Sequence, residues 1–220
     1  MPLTQTEENY LKAIFTIADR DDLPIRTNDI AKLLSTKASS VTDMLKKLAE
    51  KKLIHYERYK PITLSESGTE VATHLIRKHR LWETFLVENL GFNWSEVHHI
   101  AEQLEHIKAP ELVQRLADYL DNPLYDPHGD PIPDASGHFP QREQVLLGTL
   151  KPGECGRLCS VVEDDASFLE VLNMLEIKIG TLLEIEGIIS FDDTMQVKIG
   201  HKQSKILSNK ICNNLFVIQA

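Results

Sequence analysis

The sequence predicts a mainly α-helical chain that ends in a small β domain. Apolar residues recur at intervals of three and four through most of the first 120 residues, which is the spacing of amphipathic helices. Five of the ten prolines lie between residues 122 and 142, which indicates a connecting loop. Short β-rich runs such as LLEIEGII and MQVKIG follow this loop and resemble the strands of a small barrel. We therefore predict three domains, over residues 1–64, 65–141 and 142–220.

The composition excludes several classes of protein. The 220 residues are 42% hydrophobic and 26% charged, as in globular domains. No apolar run approaches the roughly 20 residues of a membrane-spanning helix, so we expect no membrane partner. The beginning of the chain has no basic, apolar pattern typical of a signal peptide. Three scattered cysteines do not make a disulfide framework, and we expect a cytoplasmic protein with reduced thiols.

The first domain has the pattern of a winged helix-turn-helix. Helical spacing in NYLKAIFTIA, RTNDIAKLLST and KASSVTDMLKKLAEKK predicts three helices, and the third has a polar, basic outer face. The runs LIHYER and PITL predict a hairpin, with SESG opening the next helix. In such a unit the third helix and the wing face double-stranded DNA. We expect phosphate contacts from Lys46, Lys47, Arg58 and Lys60, and contacts to base edges from Ala38, Ser39, Ser40 and Thr42.

The distribution of charge agrees with this interpretation although the net charge of −9 does not. Residues 1–80 hold 14 Lys and Arg against 11 Asp and Glu, whereas the remaining residues hold 10 against 22. A polyanion responds to the local potential more than to the total charge. The basic residues in the first domain are therefore compatible with nucleic-acid binding.

The second domain carries residues that can bind a metal. In HHIAEQLEH, His98, Glu102, Glu105 and His106 fall on one face if the segment is a continuous helix. The preceding helix contributes an i, i+4 pair, His79 and Glu83. A set of nitrogen and oxygen ligands without thiolate suits Mn²⁺ or Fe²⁺, and Zn²⁺ or Co²⁺ could also bind. The alternative is an ordinary polar helix face with i, i+4 pairs.

The helical domain also carries many apolar residues for its size, which indicates a homodimer. A two-fold dimer would match a palindromic DNA operator. The residues on which this prediction depends are Leu81, Trp82, Phe85, Leu86, Leu90 and Trp94.

Two other functions remain open at this stage. The metal-binding residues could activate water in a metal-dependent hydrolase, although the chain contains none of the common catalytic motifs. A winged-helix regulator that senses an organic ligand would leave the carboxylates as surface groups. We favour a DNA-binding regulator because the winged helix has no role in a hydrolase.

Three motifs together resemble the diphtheria toxin repressor family of metal-dependent transcription regulators: RKHRLWETFL, VHHIAEQLEH and DPHGDPIP. The resemblance covers the chain and implies a dimeric repressor of metal-uptake genes with a C-terminal SH3-like, FeoA-type domain. It implies metal ligands at His79, Glu83, His98, Glu102, Glu105 and His106. It adds Asp126 and His128, and an acidic residue of EDDAS, either Asp164 or Asp165.

The resemblance also bears on the choice of metal. Manganese-responsive members have glutamate at the position of Glu102, where iron-responsive members have cysteine, so we expect Mn²⁺ with Fe²⁺ as the alternative. Asn9 stands where manganese members usually have aspartate, and its amide oxygen could still coordinate. Lys12 stands where one manganese subgroup has a glutamate ligand, and a protonated lysine cannot coordinate. Whether the chain binds one metal or two is therefore open.

Overall fold

The computed structural model describes residues 3–20, 23–58, 60–163, 165–200 and 204–220, without the side chain of residue 20. The chain forms two compact units. The first comprises Met1–His79, Leu104–Ala109 and Pro133–His138, and the second comprises Arg80–Gln103, Pro110–Ile132 and Phe139–Ala220. None of the described helices is long and apolar enough to cross a membrane.

The first unit contains a winged helix-turn-helix, as the sequence predicts. Its elements are α1 (Gln5–Arg20), α2 (Thr27–Leu33), α3 (Ala38–Glu50) and the antiparallel strands β1 (Ile54–His55) and β2 (Thr63–Leu64). The apolar residues at helical spacing form its core, because each helix turns these side chains to the same side. The fully buried members are Leu11, Ile14, Ile30, Val41, Leu45 and Leu48.

The middle of the chain is helical. Its elements are α4 (Glu66–Leu90), α5 (His98–Leu104) and α6 (Pro110–Tyr119). The Ser65 hydroxyl accepts a hydrogen bond from the Gly68 amide at 3.1 Å and caps α4, as predicted. Helix α5 is shorter than predicted and ends at Leu104, so Glu105 and His106 lie in the turn that follows it. The assumption that four ligand-type residues share one continuous helix face is therefore wrong.

The second unit contains a six-stranded antiparallel sheet. The strands are β3 (Val145–Leu146), β4 (Cys155–Val161), β5 (Leu182–Ile189), β6 (Thr194–Ile199), β7 (Ser204–Leu207) and β8 (Leu215–Gln219), in the spatial order β3-β8-β4-β5-β6-β7. Helices α7 (Ala166–Leu175) and α8 (Asn209–Cys212) accompany the sheet. The predicted β domain is confirmed. Sequence patterns did not predict β3, β7 or α8, which are only two to four residues long.

Burial within the chain removes three of the six apolar residues from the predicted dimer surface. Leu81, Leu86 and Trp94 are each less than 9% exposed within the chain itself, so they cannot supply an apolar surface to a second copy. Trp82 and Phe85 are half-buried and pack together edge to face, and Leu90 is exposed. Of the six residues on which the prediction rested, these last three remain available.

Candidate metal and DNA-binding sites

The structure distributes the predicted metal ligands over two groups, one in each unit. Glu105 and His106 lie in the turn after α5, and they contact residues of the first unit. The His128 cluster belongs to the second unit and comprises Glu83, His98, Glu102, Asp126 and His128. The Lys12 cluster belongs to the first unit and comprises Glu8, Lys12, His79, Glu105 and His106.

His128 is oriented as a metal ligand. Its Nε2 lies 2.8 Å from the carbonyl oxygen of Trp94 and must donate to it, so the neutral ring has its lone pair on Nδ1. Nδ1 is buried and has no hydrogen-bond partner among the residues that the structure describes. It lies 3.7 Å from Glu83 Oε2 and 3.9 Å from Asp126 Oδ1. A ring nitrogen held in this way by a backbone carbonyl is typical of histidines that bind metals.

The three buried residues of this cluster can hold one cation together. Glu83, Asp126 and His128 are each at most 6% exposed, and each offers a ligand atom within 4.8 Å of the other two. His98 lies at the rim, with Nδ1 3.3 Å from Glu83 Oε1 and Nε2 3.4 Å from Glu102 Oε1. The donor set therefore fits a divalent cation, which would supply the positive charge that buried carboxylates need.

Burial and the neighbouring carboxylates shift the pKa values of two residues of the cluster. Burial, together with the charges of Asp130 and Glu83, raises the pKa of Asp126 to about 7, against the opposing effect of His128 and Arg80. Burial lowers the pKa of His128, but Glu83 and Asp126 outweigh it and raise that pKa to about 10. Both groups therefore hold protons in the metal-free chain where isolated groups would not. A metal that uses them as ligands must displace these protons.

This proton competition predicts the pH dependence of metal binding. Between pH 7 and 8, His128 must release its proton, so the metal affinity should fall about tenfold per unit as the pH is lowered. Below pH 7, Asp126 must also release a proton, and the fall should approach about a hundredfold per unit. Competition with a fluorescent chelator from pH 6 to 8 measures both slopes. Asp126→Asn should retain the tenfold slope throughout, and a pH-independent affinity would contradict the assignment.

The loop that carries Asp126 and His128 is fixed by its own hydrogen bonds. Asp126 Oδ1 accepts from the backbone amides of His128 at 2.8 Å and Asp130 at 3.0 Å. Gly129 has φ +85°, and a Cβ atom there would lie 1.8 Å from the carbonyl oxygen of Cys159 in β4. The loop backbone can approach the sheet this closely because residue 129 is glycine.

Arg80 holds the same loop from α4. Its Nη2 lies 3.2 Å from Asp130 Oδ2, its Nε lies 3.7 Å from Asp126 Oδ2, and its Nη1 donates to the carbonyl oxygen of Pro131. We did not predict this role, because Arg80 in the motif RKHRLWETFL has the pattern of an ordinary surface charge.

The Lys12 cluster contains ligand-type residues and a cation of its own. Lys12 Nζ lies 2.7 Å from Glu105 Oε2 and 3.1 Å from His79 Nδ1. His79 Nδ1 is 2.5 Å from the same carboxylate oxygen, so this nitrogen carries the proton and donates it to Glu105. Burial raises the pKa of Glu105, but the hydrogen bond from His79 and the charge of Lys12 outweigh it and hold that pKa below its usual value.

Helix α1 also reaches this cluster through Glu8, which we did not predict. Glu8 Oε2 lies 2.6 Å from His106 Nδ1, while His106 Nε2 lies 3.8 Å from Glu105 Oε1. Asn9 is exposed, so the structure brings its neighbour and not Asn9 itself to the cluster. Asp164 lies outside the described residues, and Asp165 caps α7 by accepting from the amides of Ser167 and Phe168.

The predicted DNA-binding residues lie on the outer side of the winged helix. Ala38, Ser39 and Ser40 are exposed at the beginning of α3, whereas the half-buried Thr42 donates its hydroxyl to the Ala38 carbonyl at 3.0 Å. The four predicted phosphate contacts, Lys46, Lys47, Arg58 and Lys60, are all exposed. Of these, Lys46 pairs with Asp43 at 3.5 Å and Lys60 with Glu57 at 2.6 Å, and such surface pairs exchange readily for other anions.

A groove of about 980 Å³ lies between α3 and the wing, and Lys46, Arg58 and Lys60 line it. Arg26 and Asn28, at the beginning of α2, line the same groove. We did not predict these two residues, because they belong to the beginning of a different helix and line the groove beside α3 only in the folded chain. A cationic groove beside a helix-turn-helix is the arrangement that binds a DNA backbone.

Comparison with known proteins finds three family domains along the chain. The iron dependent repressor N-terminal DNA binding domain matches residues 2–62, and the iron dependent repressor metal binding and dimerisation domain matches residues 65–134. The FeoA domain matches residues 145–219. The chain therefore combines the domains of a DNA-binding dimeric regulator.

Three relatives illustrate the similarity. An uncharacterised HTH-type transcriptional regulator of Methanocaldococcus jannaschii is 38% identical over 119 residues, which is 54% of this chain and 95% of that protein. The diphtheria toxin repressor of Corynebacterium efficiens is 28% identical over 193 residues, or 83% of this chain and 84% of the repressor. A solved manganese-dependent transcriptional repressor in complex with manganese is 30% identical, with a TM-score of 0.88 over 97% of this chain and 100% of that one.

These relatives give no support to a hydrolase. The fold, the order of the domains and these similarities agree: the chain belongs to the diphtheria toxin repressor family of metal-dependent transcriptional repressors, which control metal homeostasis by binding DNA and are not enzymes.

Proposed function

We propose that Mn²⁺ is the metal that activates this repressor, with Fe²⁺ as the alternative, and that it binds at the His128 cluster. The observation that carries the proposal is the buried Nδ1 of His128, which faces the carboxylates of Glu83 and Asp126 without a hydrogen-bond partner among the described residues. The donors are nitrogen and oxygen atoms, which suit Mn²⁺ and Fe²⁺. Similarity to a repressor solved with manganese supports the first choice.

The residues of the cluster come from separate segments of the second unit. Glu83 belongs to α4, His98 to α5, and Asp126 and His128 to the loop that packs against β4. A ligand shared by all three segments stabilises one arrangement of them over others. Binding promotes DNA recognition if that arrangement has the higher metal affinity, and a typical coupling of roughly 1–3 kcal/mol suffices.

On DNA, we propose that a homodimer binds a palindromic operator of metal-uptake genes. The exposed beginning of α3 would approach base edges through Ala38, Ser39 and Ser40. The Thr42 hydroxyl instead donates to the Ala38 carbonyl within the same helix. Lys46, Lys47, Arg58 and Lys60 would contact phosphates, together with Arg26 from the groove. A protein with this role works where the chromosome is, so the cytoplasmic location belongs to the proposal.

Selection of genomic fragments tests this function. The full chain is incubated with sheared genomic DNA of its source, with Mn²⁺, with Fe²⁺ under anaerobic conditions, and with chelator. The proposal predicts that fragments upstream of metal-transport genes are enriched with metal and lost with chelator, and that they share a palindrome. Equal enrichment in chelator would instead favour the regulator that senses an organic ligand.

Removing a positive charge from the wing should weaken binding to all DNA sequences by a similar amount. Arg58→Ala deletes one expected phosphate contact in each protomer of the dimer, so the slope of log affinity against log salt should become shallower by about 2. Fluorescence anisotropy at several salt concentrations measures this slope. Lys178→Ala, which removes an exposed charge of the C-terminal domain, is the matched control. An unchanged slope in Arg58→Ala would remove the wing from the proposed interface.

A further inference from the structure

The two clusters of ligand-type residues differ in the groups that lie against their carboxylates. In the Lys12 cluster, the ammonium group of Lys12 contacts the carboxylate of Glu105. The pairing of Lys12 with Glu105 is tight, at 2.7 Å, and largely buried, since the two side chains are 19% and 1% exposed. An ammonium group of the protein therefore lies against this buried carboxylate.

The His128 cluster is arranged differently. Its carboxylates Glu83 and Asp126 lie beside the imidazole of His128, and Arg80 pairs with Asp126 and with the neighbouring Asp130. Arg80 pairs with Oδ2 of Asp126 and Oδ2 of Asp130, while the Nδ1 atom of His128 faces the other oxygen of Asp126, Oδ1, and Oε2 of Glu83. The ligand atoms of Glu83, Asp126 and His128 converge within 4.8 Å of one another.

We propose that the Lys12 ammonium acts as a built-in cation of its cluster, so that this repressor binds one divalent metal per chain, at the His128 cluster. The inference rests on the proposed metal dependence. A metal ion entering the Lys12 cluster would have to break a largely buried ion pair and would meet the repulsion of the displaced ammonium. Lys12 and Glu8 consequently join α1 to the turn after α5 through protein groups alone.

The test is the number of metal ions bound by variants of the full chain. Lys12→Met keeps most of the side-chain volume and removes the charge, which leaves Glu8, His79, Glu105 and His106 as a donor set without its cation. We expect one Mn²⁺ per chain in the wild type, two in Lys12→Met and one in Lys12→Arg. Elemental analysis after equilibrium dialysis and isothermal calorimetry both give this number. Lys32→Met, an exposed lysine of α2, should bind one.

Thermal unfolding provides a second readout that does not depend on DNA. Without metal, Lys12→Met should melt below the wild type, because the buried Glu105 loses its ammonium partner and keeps the hydrogen bond from His79. Mn²⁺ should raise its melting temperature more than it raises that of the wild type, because two sites are filled instead of one.

The outcomes separate this inference from the proposed function. A wild type that binds two Mn²⁺ per chain, or a folded Lys12→Met that still binds one, would overturn the built-in cation and leave the metal dependence in place. A wild type that binds no divalent metal would overturn the proposed function itself. Combining Lys12→Met with His128→Ala should return the count to one, now at the Lys12 cluster.

Discussion

His128→Ala should lower the Mn²⁺ affinity of the chain by on the order of a hundredfold or more. The substitution removes the buried nitrogen that faces Glu83 and Asp126 and leaves the two carboxylates without this imidazole between them. Isothermal calorimetry measures the loss directly. Trp94 offers a spectroscopic measurement as well, because its indole ring stacks on the His128 imidazole at 5.9 Å between centroids. We expect Mn²⁺ to change the fluorescence of Trp94 in the wild type but not in the variant.

Two further variants make this result specific. Asp126→Asn retains the oxygen that accepts the amides of His128 and Asp130, so the loop should keep its conformation while losing the ligand charge. Its metal affinity should fall although its melting temperature does not. His138→Ala removes an exposed histidine from a neighbouring segment and should leave metal binding unchanged. Wild-type affinity in a folded His128→Ala would remove His128 from the ligand set.

Gly129→Ala should destabilise the second unit by about 3 kcal/mol or more and abolish high-affinity metal binding. The new Cβ would lie 1.8 Å from the Cys159 carbonyl oxygen and 2.6 Å from the Ser160 Cα atom, and these are backbone atoms that cannot rotate away. The positive φ of residue 129 adds strain for any residue with a side chain. The loop must therefore leave β4, and His128 and Asp126 move with it. Chemical denaturation and calorimetry measure the two effects.

Gly187→Ala is the matched control. Gly187 also belongs to the second unit, in β5, but a Cβ atom there would meet nothing within 4 Å. We expect a change in unfolding free energy within about 1 kcal/mol and unchanged metal binding. Equal effects of the two substitutions would show that the loss at Gly129 is not caused by the close approach to β4.

The sequence predicted those parts of the fold that depend on repeating patterns. Helical spacing identified α1, α3 and α4, because residues such as Leu11 and Leu45 face a core on one side. It did not predict the end of α5, since Glu105 and His106 continue the helical period and the chain leaves the helix for contacts made with α1. A local pattern cannot record such distant partners.

The candidate site, like the fold, could be predicted only in part. Ligand types could be predicted from single residues, because imidazoles and carboxylates are recognisable in any sequence. Their grouping could not, since it depends on which segments meet. Glu8 and Lys12 are ordinary charges of an amphipathic helix until α1 places them beside His106 and Glu105. Likewise, Trp94 looked like part of a dimer surface but packs on His128 and orients it through its carbonyl oxygen.

The most direct test of the central claim is the DNA affinity of the full chain, titrated with Mn²⁺ beside the His128→Ala variant. Fluorescence anisotropy with a duplex from the genomic selection gives the dissociation constant at each metal concentration. The proposed mechanism predicts that Mn²⁺ strengthens binding by the wild type roughly 5- to 150-fold and leaves the affinity of His128→Ala unchanged. Equal affinity with and without Mn²⁺, or equal stimulation of a folded His128→Ala variant, would contradict it.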